Sequence, residues 1–405
     1  MGHIVKTPAG TFRANWRDDT GRQKAKNFRT KKEAAGFLAQ VESAIHRGLY
    51  VDPHAGRQLF GPYAEKWLSA RSTEMTTANR DLSMMRTHIL PRWQETPLGK
   101  IDHSSVQQWA GELATKRAPA TVTECVRLLS GVLRSAVRDR IIGQNPCEGV
   151  RIPKRRKQDH EGSIITPTVL RNALLPEIPH RYRALVAVAG GTGLRWGECL
   201  GLRWSAIDME SRTISVVRVM IEVSGHVTAK PYPKSRAGRR SVPIPGFVYD
   251  ALVEHQTAYP PGPGGEVFTN QAAGPLRRSM FRRRTWRPAL VRAGLLGRVE
   301  QTGTAESWSA AWPRADGSTG TASFPSERQA VAHVVREADG GLRFHDLRHS
   351  YATWLVSRGL PVNDVQRVMG HENPSTTLAL YTHQSGQADE RVRDAFADDP
   401  LTNDE

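Results

Sequence analysis

The sequence has few of the features that mark membrane, secreted or zinc-binding proteins. No apolar run in its 405 residues approaches the length of a membrane span, and the N-terminus MGHIVKTPAG lacks an apolar signal core. The cysteines are Cys125, Cys147 and Cys199, an odd number without paired spacing, so neither a disulfide framework nor a zinc site is indicated. We see no internal repeat of 20 to 50 residues. These absences predict a cytoplasmic, metal-free globular protein.

Acidic residues are outnumbered, with 40 Asp and Glu against 57 Lys and Arg, which gives a net charge of +17 and a pI near 10.2. Such a balance favours a polyanion as partner. Residues 1–160 hold 28 basic and 15 acidic residues, and so carry +13 of the +17. The chain is long enough for two or three domains, and we expect the N-terminal part to hold nucleic acid.

The densest cluster of reactive side chains lies in residues 345–381. Apolar residues at spacings of three and four predict an amphipathic helix from Asp346 to Arg358, with His345 and Arg348 one turn apart at its start. A second helix is predicted from Pro361 to a stop at Gly370, followed by a loop at His371 and a short helix that leads to Tyr381. Two imidazoles, a guanidinium and a phenol could therefore meet at one anion.

A second candidate segment, residues 190–204, reads GGTGLRWGECLGLRW. Its glycines are expected to end a helix, and a new helix is expected to start at Trp196, which places Arg195 in the turn. Taken alone, Arg195 or any one of the C-terminal residues would usually be an ordinary surface group. Their order along the chain is what points to a site.

This order resembles the signature of the tyrosine recombinases, the lambda-integrase family. The matching motifs are His345-x-x-Arg348, Gly370-His371, Tyr381, and a first box with the Gly-Leu-Arg-x-x-Glu core at Arg195 and Glu198. The resemblance extends over nearly the whole chain. It implies that Arg195, His345, Arg348 and His371 are catalytic, that Tyr381 is the nucleophile, and that Glu198 supports Arg195.

Between the boxes, residues Arg212 to Val219, Ile221 to Val227 and Ser241 to Ile244 have the alternation of β-strands. They look like the family's small sheet, whose turn lysine enters the active site. Lys234 is the best match and Lys230 the rival.

Residues 1–52 are expected to form a small β-rich module. Strands are predicted at Gly10 to Trp16 and Lys24 to Arg29, and a helix through Ile45 begins with a capping box between Thr30 and Glu33. The module resembles the arm-type DNA-binding domain of integrases. Its expected DNA-binding residues, on one strand face beside Phe12, Trp16 and Phe28, are Arg13, Arg17, Lys24, Lys26 and Arg29. The alternative is a solvated hairpin with no role of its own.

Residues 59–150 are predicted to be almost entirely helical. The four helices are Phe60 to Arg71, Thr76 to Ile89, Ser104 to Lys116 and Ala118 to Asp139. Pro91, Pro97 and Gly99 are expected to separate the second from the third, and Asn145-Pro146 to end the last. This part resembles the family's core-binding (SAM-like) domain. The basic run after it, Lys154, Arg155, Arg156 and Lys157, could be a charged linker, a DNA contact or both.

The catalytic domain is predicted at 161–396, with a tail at 397–405. Residues 296–341 separate the preceding helix from the His-x-x-Arg box, which departs from the usual family pattern. We interpret them as an insertion, with a helix at Arg328 to Glu337 and a surface excursion at Gly303 to Ser323. The expected fold class is thus multidomain and mainly α with small β-sheets: an α+β N-terminal module, a helical domain and a mixed, mostly α catalytic domain.

The resemblance implies a site-specific recombinase that cuts and rejoins DNA through a 3′-phosphotyrosyl link, without metal, ATP or other cofactor. The implied partners are double-stranded DNA attachment sites and three further copies of the chain, in a tetramer on two duplexes. An excision factor and a host DNA-bending protein could also take part. The integrase of a phage or mobile element is the first expectation. The alternatives are a dimer-resolving recombinase of a chromosome or plasmid, and a catalytically silent DNA-binding protein.

Overall fold

A computed structural model of the protein describes residues 2–18, 21–47, 55–153, 164–230, 238–303 and 307–370. The chain forms two compact units, Met1–Lys157 and Gln158–Glu405. Helices predominate and the sheets are small and antiparallel, so the expected mainly α, multidomain fold class is confirmed. Within the described ranges, no helix combines the length and apolarity that crossing a bilayer would require.

The first unit begins with a three-stranded sheet and a helix, residues 2–47, which we call the N-terminal module. Its elements are β1 (His3–Lys6), β2 (Phe12–Arg17), β3 (Gln23–Phe28) and α1 (Lys31–His46). The predicted capping box is confirmed, because the Thr30 hydroxyl accepts from the Glu33 amide at 3.2 Å and the Glu33 carboxylate accepts from the Thr30 amide at 3.4 Å. Strand β1 was not predicted, since HIVK is too short to show an alternation.

The strand register places the predicted DNA-binding residues on two faces of this sheet. The paired positions are Arg13 with Asn27, Arg17 with Gln23, Ala14 with Lys26, and Trp16 with Lys24. Directly opposed residues share a face. Ala14 and Trp16 are buried with α1, and the Lys26 ammonium lies 4.8 Å from the centre of the Phe37 ring on that helix. The expectation that the arginines and lysines share one face is therefore wrong, because neighbouring strand positions alternate.

The rest of the first unit is helical around one core. The helices are α2 (Phe60–Ser69), α3 (Met75–Met84), α4 (Leu90–Trp93), α5 (His103–Lys116) and α6 (Pro119–Arg138). Pro91 was expected to break the chain, but a π-helical turn at Met85–Ile89 continues α3 into α4. The wider turn avoids the clash of a proline ring with the preceding carbonyls. Helix α6 ends at Arg138, before the predicted stop, and Arg140 follows with φ of 56°.

The second unit contains most of the remaining elements. Its helices are α7 (Leu175–Glu177), α8 (His180–Thr192), α9 (Trp196–Gly201), α10 (Gly246–Ala258), α11 (Arg278–Phe281), α12 (Arg287–Arg292), α13 (Glu327–Glu337), α14 (Asp346–Ser357) and α15 (Val362–Met369). Its strands are β4 (Ile207–Asp208), β5 (Thr213–Val216), β6 (Val219–Val223), β7 (His226–Lys230), β8 (Arg240–Pro243), β9 (Arg298–Gln301), β10 (Trp308–Pro313) and β11 (Thr319–Phe324). They form sheets in the orders β4-β5-β8, β6-β7 and β11-β10-β9.

Helix α8 is central to this unit and is buried from Ala184 to Thr192. The glycines of residues 190–193 were expected to end it: Gly193 does, whereas Gly190 and Gly191 lie inside the helix. A Cβ atom would come within 2.5 Å of Leu170 at Gly190 and within 2.3 Å of Val248 at Gly191. These glycines therefore permit close packing, and the helix ends at Gly193.

The predicted strand from Ile221 to Val227 is instead a hairpin. The chain turns at Ser224 and Gly225, both with positive φ, between β6 and β7. The two flanking strands together have the alternation that suggested one longer strand.

Residues 303–323 were expected to be a surface excursion, and this is wrong for the described part. Strands β10 and β11 pair along their length, and Ala310 and Trp312 lie in the main core of the unit with Val334 of α13. Trp312 is 5% exposed. The small and hydroxyl residues that suggested a loop lie on the outward face of a sheet.

These strands also repeat the N-terminal module. Each is a three-stranded antiparallel sheet in chain order followed by a helix, and the central hairpins have corresponding registers, Phe12 opposite Phe28 and Trp308 opposite Phe324. Five residues of the hairpin and helix are identical at corresponding positions: Ala14 and Ala310, Trp16 and Trp312, Gly21 and Gly317, Phe28 and Phe324, Ala34 and Ala330. The helix caps correspond too, as Thr30 and Ser326. No internal repeat was seen in the sequence, because most of the matched positions differ in residue type.

Candidate active site

The turn between α8 and α9 presents the first arginine of the site. Gly193 ends α8 with φ of 64°, and a Cβ atom there would lie 2.5 Å from the ring of Tyr351. Arg195 is the N-cap residue of α9, and its side chain is 41% exposed. Its guanidinium is thus held at the surface and remains accessible to a ligand.

Glu198, one turn into α9, is buried between two arginines. Its carboxylate accepts from the Arg195 amide at 2.9 Å and from Arg195 Nη1 at 2.8 Å. Arg240 of β8 donates to the same carboxylate, Nη2 at 2.9 Å and Nη1 at 3.3 Å. Burial raises the pKa of Glu198, but the hydrogen bond and charge of Arg240 and the charge of Arg195 outweigh it and lower the pKa to about 2. The carboxylate is therefore ionised throughout the physiological range.

The start of α14 is fixed by a second carboxylate. Asp346 is 2% exposed and accepts from the Arg343 amide at 2.7 Å and from Arg343 Nη2 at 2.9 Å. These bonds hold the first turn of α14 and with it the His345-x-x-Arg348 box.

Arg348 is buried, and its guanidinium bridges two distant chain segments. Nη1 donates to the Gly193 carbonyl at 2.6 Å, and Nη2 donates to the Met369 carbonyl at the end of α15. Burial and the charge of Arg195 lower the pKa of Arg348 to about 9. It stays protonated at neutral pH, so the site keeps two guanidinium charges.

His345 completes the group at the N-cap of α14. Partial burial and the neighbouring His349, Arg348 and Arg195 lower the pKa of His345 to about 4. Its ring lies 5.0 Å from the His349 ring, centre to centre and edge to face. The imidazole is therefore neutral at pH 7 and able to accept a proton.

The structure thus brings together four of the predicted site residues, which interact electrostatically: Arg195, Glu198, His345 and Arg348. Lys230 lies at the end of β7, paired with Val219. Seven further predicted site residues lie outside the described ranges: Lys154, Arg155, Arg156, Lys157, Lys234, His371 and Tyr381.

Sequence reasoning missed several groups of the site. Arg240 and His349 bear on the predicted residues but come from segments that had suggested only a strand and a helix face. It also missed a cluster of exposed arginines around α11: Arg277, Arg278, Arg282, Arg283 and Arg284. Their spacing along RRSMFRRR was the available signal.

Comparison with known proteins agrees with this geometry. Residues 169–302 and 325–388 match the model of the phage integrase family. A prophage phiRv2 integrase of Mycobacterium tuberculosis is 24% identical over 97% of this chain and 94% of its own length. A XerC-like tyrosine recombinase of Caldanaerobacter subterraneus is 26% identical over 94% of each chain.

Solved structures share the fold. The Tn1549 transposon integrase, in complex with circular intermediate DNA, has a TM-score of 0.61 at 19% identity and covers 84% of this chain and 100% of its own. A lambda integrase dimer bound to a core site has a TM-score of 0.53 at 14% identity, with 93% of each chain covered.

The matched segments contain the described site residues as well as His371 and Tyr381, and they leave out 303–324, where β10 and β11 lie. The site geometry, the family match and the relatives over almost the whole length agree. The chain belongs to the phage integrase family and is a tyrosine-type site-specific recombinase.

Proposed function

We propose that this recombinase integrates and excises a phage or mobile element by cutting and rejoining duplex DNA at attachment sites through a 3′-phosphotyrosyl intermediate. The observation that carries the proposal is the grouping of Arg195, His345 and Arg348 around the α8–α9 turn, with Glu198 and Arg240 behind them. A phosphodiester repels nucleophiles, so cleavage needs positive charge placed where the transition state becomes negative.

Each residue then has a role in the reaction. Arg195 and Arg348 stabilise the non-bridging oxygens of the phosphorane by forked hydrogen bonds. Tyr381 attacks phosphorus and conserves the energy of the broken bond in the new one, so rejoining needs no ATP. His345, neutral at pH 7, helps to accept the phenol proton. Lys234, or its rival Lys230, protonates the leaving 5′-oxygen.

His371 is proposed to bind a non-bridging oxygen. It follows Gly370, which ends α15 with φ of 62°, and α15 is tied to the site through the Met369 carbonyl. In the sequence, His371 is two residues after Met369, whose carbonyl anchors the end of α15 to Arg348.

DNA holding is proposed for the basic surfaces. Arg13 and Arg17 lie on the outward face of the N-terminal module, and Arg29 is exposed just after β3. Lys24 and Lys26 lie on the other face and are proposed as edge contacts with phosphates. The arginine cluster around α11 and the run Lys154 to Lys157 supply further charge for phosphate neutralisation.

Strand exchange needs two duplexes and four active sites, so we propose a tetramer on attachment-site DNA. A lambda integrase dimer and the Tn1549 integrase are described on DNA, which supports DNA as the partner here. An excision factor and a host DNA-bending protein are proposed accessory partners. Because its proposed substrate is DNA, we propose that the protein acts in the bacterial cytoplasm or nucleoid.

A second candidate, resolution of chromosome or plasmid dimers, is favoured by the similarity to a XerC-like recombinase. The N-terminal module, with its own sheet, helix and core, instead supports the integrase. Recombination assays separate the two: the integrase joins two unlike sites, whereas a dimer resolvase recombines two copies of one site.

The test of catalysis uses a library of nicked suicide duplexes with randomised core sequence. Wild type is expected to form a covalent protein–DNA adduct, and Tyr381→Phe to form none. Tyr351→Phe is the matched control, because Tyr351 is buried against Gly193 and burial raises its pKa to about 12. It should retain the adduct. Absence of any adduct with wild type would leave the catalytically silent DNA-binding protein as the reading.

A further inference from the structure

Arg240 is a buried arginine that the chemistry above does not use. Its side chain is 3% exposed, yet all three guanidinium nitrogens are bonded. Nη1 and Nη2 donate to the Glu198 carboxylate, Nη1 also donates to the Gly238 carbonyl at 3.2 Å, and Nε donates to the Val368 carbonyl at 2.6 Å. One side chain therefore joins three segments that are far apart in sequence.

Each of these segments leads to a proposed active-site residue. Glu198 holds Arg195. Gly238 directly follows residues 231–237, which contain Lys234. Val368 lies in the last turn of α15, three residues before His371.

Arg348 acts in parallel at the same helix end. Arg240 donates to the Val368 carbonyl, and Arg348 donates to the next carbonyl, that of Met369. The last carbonyls of a helix lack partners within the helix and attract cations. Two buried guanidiniums thus attach the end of α15 to the α8–α9 turn, one through Glu198 and one through Gly193.

We propose that Arg240 is a positioning residue that sets the relative placement of Arg195, of Gly238, which follows Lys234 in the sequence, and of the end of α15, which precedes His371 in the sequence. This inference rests on the proposed function. We expect that Arg240 does not itself contact DNA, since four of its five N–H groups donate to the protein and its side chain is buried. A planar fork is required because lysine cannot reach the carboxylate and two carbonyls in the same geometry.

The test compares Arg240→Lys with Arg287→Lys. Arg287 is the matched control, because it is also buried and also donates to three residues, through the carbonyls of Val335, Ala338 and Gly340, but not to Glu198 or α15. For each variant, DNA affinity by gel shift, urea unfolding and the rate of adduct formation on the suicide duplex at saturating protein are measured.

Arg240→Lys is expected to keep the wild-type DNA affinity and to slow adduct formation about 100-fold, as misplacement by about 1 Å does. Arg287→Lys is expected to lose stability with little change in rate. Equal rates for the two variants, or losses that follow stability alone, would overturn the positioning role. Should Arg240→Lys not fold, Arg240→Gln replaces it, because glutamine keeps polar contacts without the charge.

A pH profile adds a readout that a structural role would not move. The groups that face the Glu198 carboxylate are Arg195 and the Cys199 thiol on α9, Arg240 on β8 and Arg348 on α14. Loss of the Arg240 charge raises the pKa of Glu198, so Glu198 becomes protonated at a higher pH. As pH is lowered, the rate of adduct formation by Arg240→Gln should therefore decrease in a range where the rates of wild type and Arg287→Lys stay constant. A wild type without adduct overturns the proposed function and this inference together, whereas a normal adduct with Arg240→Lys overturns the inference alone.

Discussion

At the scale of single residues, the buried carboxylate of Glu198 makes it possible for Arg195 and Arg240 to lie side by side. Glu198→Gln removes its charge and leaves two guanidiniums with a neutral partner. Since the pKa is lowered from 4.5 to about 2, the ionised carboxylate contributes about 3 kcal/mol of stability, present above about pH 4.5 and lost as pH falls through about 2.

We therefore expect Glu198→Gln to lower the free energy of unfolding at pH 7 by about 3 kcal/mol in urea titrations. The matched control is Glu254→Gln, because Glu254 pairs with His180 but is 55% exposed. Its change should be much smaller. Equal losses for the two variants would contradict a special role for the buried carboxylate.

His345 determines the expected pH dependence of cleavage. Because its pKa is lowered to about 4, the imidazole remains a base well below pH 6.5, and the rate of adduct formation should not fall between pH 8 and about 5 on its account. In His349→Gln a neighbour that lowers this pKa is lost, so the acid limb should move to higher pH. A wild-type limb already near pH 6.5 would argue against the described surroundings of His345.

At the scale of elements, the N-terminal sheet offers a test of which face meets DNA. Arg13→Gln with Arg17→Gln removes two outward charges, and the slope of log affinity against log salt should become shallower by about 2. Lys24→Gln with Lys26→Gln removes the same charge from the helix-facing side and should change the slope less. Gel shifts at several salt concentrations measure the slope for each double variant. Equal changes in slope would contradict the claim that the outward face of the sheet is the one that meets DNA.

The two faces of the sheet β9–β11 are expected to contribute differently to stability, because one packs in the core and the other is exposed. Trp312 is packed in the core, so Trp312→Ala should cost about 3–5 kcal/mol of unfolding free energy. Thr321 lies on the outward, exposed face, and Thr321→Ala should change stability by less than about 0.5 kcal/mol. Urea unfolding of the two variants measures these changes. A small loss of unfolding free energy in Trp312→Ala would mean that the hairpin is a surface excursion, as the sequence had suggested.

Prolines illustrate why element boundaries were harder to predict than element types. The π-helical segments before Pro91, Pro176 and Pro288 let helices continue through residues that usually stop them. At each, the amide of the residue before the proline donates to the carbonyl five residues back. A local pattern cannot show this, because the continuation depends on packing elsewhere.

At the scale of the whole molecule, the sequence was most informative where chemistry and local structure coincide. The capping box at Thr30, the helix after His345 and the stop at Gly370 were predicted from nearby residues, and Arg195 was placed in its turn for the same reason. Arg240 could not be predicted, since its partners lie in segments up to 128 residues away.

The central claim is that guanidiniums from distant segments act on one phosphate. The most direct measurement is a crystal structure of Tyr381→Phe on a nicked duplex that wild type cleaves. We expect Arg195 and Arg348 each to place a nitrogen about 3 Å from non-bridging oxygens of the same phosphate, with His345 beside residue 381. A scissile phosphate contacted by neither arginine, or by residues of another surface, would contradict the account.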